Sequence, residues 1–292
     1  MRRVFVATFG ESTDRSNVAR GVRIDVSAGD VEIVSDVLWS LGATAVSEEW
    51  CPGDGGDVVV TLRTSFGSDD ETISKVLAQH LAGVAWTYED LDLDVADSWK
   101  QFAEPTPIGR HLWIRPAWND STLPTDAVVV SIDPGATFGM GDHPTTRGCL
   151  SLLADSVTDG ESILDVGCGS GVLGICTLVL GAGTALGVDI SPASLETSRA
   201  NAERNGVSER WWVTTEPLST VGRQYDTVLA NILAPVLVEL APQLVRLTRH
   251  RMIISGLLES QVARVVEALD PFVEARRVVV EGWVSIEMRR PE

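Results

Sequence analysis

The chain has 292 residues, enough for two domains or one large one. Hydrophobic residues make up 44% and charged residues 22%, which sets aside the disordered and fibrous classes. Asp and Glu outnumber Lys and Arg by 41 to 23, a net charge of -18 that argues against a nucleic-acid binder working through a basic face and suits a cationic partner.

Residues 1–20 show no clear period and read as a lead-in. Their apolar run is too short for a signal peptide and acids follow at once, so a cytoplasmic location is the expectation. VRIDVSA (22–28) then alternates like a strand, and GDVEIVSDVLWSLGA (29–43) has apolar residues at helical spacing. ATAVSEEW reads as a strand, CPGDGGD as a turn cluster, DVVVTLRT (57–64) as a strand, DDETISKVLAQHLAG (69–83) as a helix stopped by Gly83, and VAWTYEDLDL as a closing strand. The order βαββαβ predicts a small ferredoxin-like α+β domain over residues 1–94. The acidic excess is concentrated there: residues 1–97 hold 18 acids and 7 bases. DVADSWKQFAEPTPIGR (94–110), with two prolines and no sustained period, contains the expected linker, residues 95–107.

From residue 108 to 292, helical stretches alternate with short apolar strands, the mark of an α/β domain built on a parallel sheet. The predicted strands are 161–167, 184–189, 210–215, 225–231, 250–256 and a terminal β pair in EARRVVVEGWVSIEMRR. The cysteines form no C-x-x-C pair and the histidines no H-E-x-x-H spacing, so neither a metal nor a disulfide is assigned. Val166 to Val188 carries no charge, which by length alone would span a membrane. Its repeated glycines fit a buried strand, turn, helix and strand better, so no membrane contact is expected.

That stretch contains the most informative motif. An apolar strand runs into Gly167-x-Gly169-x-Gly171 and a helix follows, placing glycines where the backbone turns sharply and a ligand approaches closely. Asp189 ends the next strand, where a carboxylate can take both hydroxyls of a ribose. Gly169-x-Gly171-x-x-Gly174 also satisfies the dinucleotide fingerprint, so a nicotinamide-dependent oxidoreductase is the rival. Asp165, just ahead of the glycines, would oppose a pyrophosphate but suit the ammonium of an amino-acid moiety. Asn231, in the Asn-Ile-Leu-Ala turn after YDTVLAN, lies where an amine methyltransferase places a polar residue near the reacting methyl group.

DPGATFGMGDHPTT (133–146), LDVGCGSG (164–171), GVDISPASLETSRANAERNG (187–206), LANILAPVLVELAP (229–242) and SGLLESQ (255–261) together resemble the PrmA family, bacterial methyltransferases of large-subunit ribosomal protein eleven. The resemblance is close over the last two thirds of the chain and reaches the N-terminal domain only in outline. It implies a Rossmann-like class I methyltransferase domain that uses S-adenosylmethionine to methylate lysine and N-terminal amino groups of a basic ribosomal protein. Thr146, Gly167, Asp189 and Asn231 match the family's cofactor positions, and Phe138 would lie over the cofactor; Asn231 is also the candidate catalytic residue. Asp165, Gly169 and Gly171 complete the expected cofactor set. Met140 and Asp142 depart from the usual pattern, where Thr is common. A relative acting on another protein's lysines is the alternative within the class, and a non-catalytic acidic adaptor a further one. No general base stands out. His143 and Cys168 read as structural, while Trp99 and Trp283 are the two tryptophans to test for substrate contact.

Overall fold

Val22, Ile24 and Val26 are buried while Arg23 and Asp25 point outward, the alternation of a strand with one covered face. This strand belongs to a computed structural model that describes residues 2–6, 18–27, 30–40, 45–52, 58–65, 74, 77–78, 81, 83–92, 103–135, 137 and 139–291. The chain divides into two compact units, Met1–Ala103 and Glu104–Glu292.

The first unit contains β1 (Arg2–Val6), β2 (Val18–Ser27), α1 (Val31–Ser40), β3 (Ala45–Pro52), β4 (Val58–Ser65) and β5 (Trp86–Asp92). They form one sheet in the order β1-β3-β4-β2-β5, antiparallel at every pairing. Val31, Val34 and Leu38 of α1, with Leu77 and Leu81, cover Ile24, Val46, Val60 and Leu62. Two details differ from the sequence expectation. Arg2–Val6, read as lead-in, is a strand paired with β3, and β2 starts at Val18 because it is held against β5 from the Val18–Asp92 pair onward. Both pairings join distant segments, so no local period announces them. Within the expected helix 69–83, Ser74, Leu77 and Ala78 are helical; much of the remainder, like the turn at 53–57 and the connector at 93–102, lies outside the described residues.

The second unit opens with a small sheet: β6 (Thr106–Ile108), β7 (Leu112–Pro116) and β8 (Val128–Ile132). Thr106–Ile108 was expected at the end of the linker and instead pairs with β7; strands this short, two of them carrying proline, show little periodicity. Then follow α2 (Pro144–Leu153), β9 (Ser162–Val166), α3 (Val172–Val179), β10 (Thr184–Val188), α4 (Pro192–Arg204), β11 (Trp211–Thr214), β12 (Tyr225–Asn231), α5 (Ala234–Leu247), β13 (Thr248–Leu258), α6 (Glu259–Ala268), β14 (Val273–Val280) and β15 (Trp283–Arg289).

The seven strands run β11-β10-β9-β12-β13-β15-β14. The first five are parallel, and β15 is antiparallel to both β13 and β14. Side chains alternate across β9, so Ile163 joins the core under α2, α3 and α4, while Leu164 and Val166 join the core under α5 and α6. Every residue of α3 from Val172 to Leu178 is buried, as its apolar composition requires. Full burial of a leucine or isoleucine there stabilises by about 1.5–3 kcal/mol. The uncharged stretch from Val166 is therefore a strand end, loop, helix and strand, and no helix among the described residues is long and apolar enough to cross a membrane.

Candidate functional site: the carboxyl edge of the parallel strands

The order of the strands reverses between β9 and β12, and in such sheets a crevice opens beyond the carboxyl ends at that point. β9 delivers the glycine loop there. Gly167, Gly169 and Gly171 have φ of 69°, 51° and 80°, the left-handed region that side chains rarely adopt, and Gly171 caps α3. A Cβ at Gly167 would stand 2.5 Å from Cγ2 of Ile232, so the loop and the turn after β12 touch.

Asp165 sits beneath this loop, 1% exposed, with its Oδ2 accepting the Gly174 N–H at 2.9 Å. The third glycine of the motif thus lets α3 pack onto the strand: a Cβ there would be 3.1 Å from that oxygen and driven into the Trp211 ring. Burial pushes the Asp165 carboxyl up from 3.8 to about 7; the Gly174 N–H opposes this and the Asp189 charge adds to it. Asp189 is half-buried at the end of β10. Its Oδ2 accepts the Gly169 N–H at 2.8 Å and its Oδ1 the Ser191 N–H at 2.9 Å. A carboxylate has roughly four lone-pair sites, so about two remain to take a diol.

Ile190, next along, is 91% exposed. The sequence reading passed over it, although an apolar residue directly after the ribose-type acid was its available signal.

Asn231 ends β12 on the α2 face and donates from Nδ2 to Thr146 Oγ1 at 3.4 Å. Thr146 is 1% exposed. His143 is the N-cap of α2, bonded through Nδ1 to Thr145 Oγ1 at 2.8 Å, and its ring lies 5.8 Å from that of Trp283. Trp283 is 4% exposed, packed rather than displayed. Cys168 is buried under the loop, where burial raises its thiol well above the usual range, so it is a packing residue and not a nucleophile. The preceding loop is tied to the glycine loop by Ser170 Oγ, which donates to the Gly139 carbonyl at 2.5 Å. Asp165, Gly167, Gly169, Gly171 and Asp189 therefore gather around β9 and β10, with Asn231 and Thr146 one strand away. Phe138 and Trp99 lie outside the described residues.

The profile of the ribosomal protein L11 methyltransferase (PrmA) family matches residues 58–291. The chain belongs to this family. Ribosomal protein L11 methyltransferases of Cupriavidus taiwanensis and Pseudomonas aeruginosa are each 37% identical to it, over 92% of this chain and 98% and 97% of theirs. The crystal structure of the ribosomal protein L11 methylase from Lactobacillus delbrueckii subsp. bulgaricus superposes with a TM-score of 0.60 at 29% identity, covering 65% of this chain and all of that one. Membership makes the protein a class I methyltransferase that acts on a protein with S-adenosylmethionine, and it removes the nicotinamide and adaptor alternatives. The residues present fit that cofactor: three left-handed glycines leave the backbone open to close approach, Asp189 has unused acceptor capacity, and an apolar side chain stands bare beside it.

Proposed function

We propose that this chain methylates amino groups of ribosomal protein L11, with the cofactor held by the Gly167–Gly171 loop and Asp189 and the amine delivered to Asn231. The observation that carries this reading is the adjoining of the glycine loop and the Asn231 turn through Gly167 and Ile232.

When bound, S-adenosylmethionine supplies an electrophilic methyl group. The chain's own task is to bring a neutral amine into line at near-attack distance. A lysine amine has a reference pKa of about 10.4, and a desolvating approach past Ile232 and Leu233 lowers it. With Nδ2 of Asn231 turned to Thr146, its Oδ1 faces the other way as an acceptor for an amine N–H. Thr146 acts from beneath, holding the amide, and Asp165 supports the loop while placing a carboxyl near the cofactor's ammonium. Phe138 remains assigned to the cofactor by its motif.

The amino-terminal unit, residues 1–94, is read as a ferredoxin-like substrate-recognition domain followed by a connector. Its strands β3-β4-β2-β5 follow the order expected of βαββαβ, with β1 added at the edge beside β3. The sheet face away from α1 carries Asp25, Glu49 and Glu89 around Arg63, which pairs with Glu49 at 2.7 Å and Glu89 at 2.9 Å. Thr61 donates to Asp25 and, with Arg23, holds its carboxyl below the usual value. The acids of this face are answered by Arg23 and Arg63, so steering of a basic protein rests on the excess over residues 1–97, 18 acids against 7 bases, and a ribosomal substrate fits a cytoplasmic enzyme.

The test is transfer of labelled methyl groups from the cofactor to purified L11 and, in parallel, to an equally basic second ribosomal protein. L11 is expected to be methylated far faster, at a rate that falls between low and moderate salt as charge steering is screened. Equal rates on both proteins would overturn the substrate assignment.

A further inference from the structure

Asn201 lies on α4, inside the 187–206 stretch but not among the residues assigned to the cofactor, and is completely buried. Its side chain grips three backbone groups in two separate loops. Oδ1 accepts the Asp133 N–H at 2.9 Å, while Nδ2 donates to the Asp133 carbonyl at 2.8 Å and to the Ser170 carbonyl at 3.0 Å. Arg204 Nη1 donates to Oδ1 as well, so the amide's hydrogen-bonding capacity is filled.

One turn later on the same helix, Asn205 makes the same double bond to Ser131: Oδ1 accepts its N–H and Nδ2 donates to its carbonyl, both at 2.8 Å. The match is geometric. Four residues of helix advance about 6 Å, and two residues of strand advance about 6.6 Å, so two asparagines read two peptides on one side of β8 and its continuation. Each amide makes a further bond, Asn205 to the Asn201 carbonyl at 2.8 Å and Asn201 to the Ser170 carbonyl, so of the two only Asn201 reaches the glycine loop.

We propose that Asn201 is a positioning residue for cofactor binding, a clasp that sets Asp133 and, through Ser170, Gly139 against the glycine loop without touching the ligand. The inference rests on the assignment of the cofactor to that loop. Ser170 works from the other side. It offers its carbonyl to Asn201 and its hydroxyl to the Gly139 carbonyl, so two bonds fix the spacing between the segments. Without the clasp, the free protein samples arrangements in which the segments are apart, and apparent affinity drops by the fraction that remains competent. Asn205 holds the strand and the Asn201 carbonyl but not the glycine loop, and serves as the internal control.

The experiment measures, for Asn201→Ala, Asn205→Ala, Ser170→Ala and Asp189→Ala, the melting temperature, the Kd for the demethylated cofactor by calorimetry, and kcat and KM for S-adenosylmethionine. Both asparagine variants are expected to melt at lower temperature. Only Asn201→Ala should raise Kd and KM tenfold or more, with kcat restored at saturating cofactor, and Ser170→Ala should raise Kd severalfold. An Asn201→Ala protein with Kd within twofold of the parent, or an equal loss in Asn205→Ala, overturns the clasp. If Asn201→Ala does not fold, Asn201→Asp decides, since it keeps the acceptor for the Asp133 N–H and loses both amide donations, and an unchanged Kd there is the contrary result. Asp189→Ala keeps the two readings apart, since unchanged affinity in that variant would overturn the cofactor site itself.

Discussion

At the amino-terminal edge of the parallel strands, Glu161 accepts from Arg251 at 3.0 Å, the Thr158 N–H at 2.9 Å and Thr227 at 2.7 Å, while Arg251 also reaches Thr227 and Ser156 at 2.8 Å each. At the carboxyl edge, Asp189 uses two of its acceptor sites, Asp165 is fixed by one N–H, and Asn231 makes one bond of 3.4 Å. The amino edge even has a cleft of about 520 Å³, lined by Glu161, Asp226, Thr227 and Arg251. Yet its buried charges answer one another. Polar groups whose bonding is complete hold a fold together, and those left with capacity beside left-handed glycines can hold a ligand. On that contrast, the size of a cleft is the weaker guide to the site.

Substitutions at the two edges should separate stability from binding. The largest effect is expected for Arg251→Met, which leaves Glu161 buried without its cation and should cost about 3–5 kcal/mol in urea denaturation. Cofactor affinity should stay within twofold. At the carboxyl edge, Gly169→Val forces a branched side chain to φ near 51° and should weaken cofactor binding on the order of a hundredfold or more in calorimetry. Asp189→Ala follows, with at least a tenfold loss, since each charge-assisted bond contributes about 1.5–3 kcal/mol. An Arg251 variant that lost affinity, or an Asp189 variant that kept it, would break the comparison.

A smaller effect sharpens it. Asp165 in the folded protein retains a proton up to about pH 7 that the unfolded chain releases near its reference value of 3.8. Its contribution therefore makes stability fall as pH rises through that window, by at most about 1.4 kcal/mol per pH unit. Asp165→Asn keeps an acceptor for the Gly174 N–H and removes the titration, so its stability between pH 4.5 and 7 should be flatter than the parent's. An unchanged slope would mean that Asp165 is ionised beneath the loop.

What the sequence made legible follows the same division. The glycine loop and Asp189 could be read because backbone turns and close approach admit few residue types, and Asn231 because its turn belongs to a long shared motif. Asn201 could not be read, and Ile190 was passed over. An asparagine that grips a distant backbone looks like any polar residue on a helix, and an exposed isoleucine after a strand looks like the strand's end. Trp283 shows the reverse case: aromatic character suggested a substrate wall, and packing against His143 placed it in the interior. β1 and β6 were missed because their pairing partners, β3 and β7, give them their structure.

Mass spectrometry of L11 after incubation with S-adenosylmethionine and either the parent or Asn231→Ala, at saturating cofactor, tests most directly whether the chemistry occurs at the carboxyl edge. The parent should add methyl increments to amino groups of L11, and the folded Asn231→Ala protein should bind cofactor yet add them at least tenfold more slowly. Equal methylation by the two proteins would contradict the account.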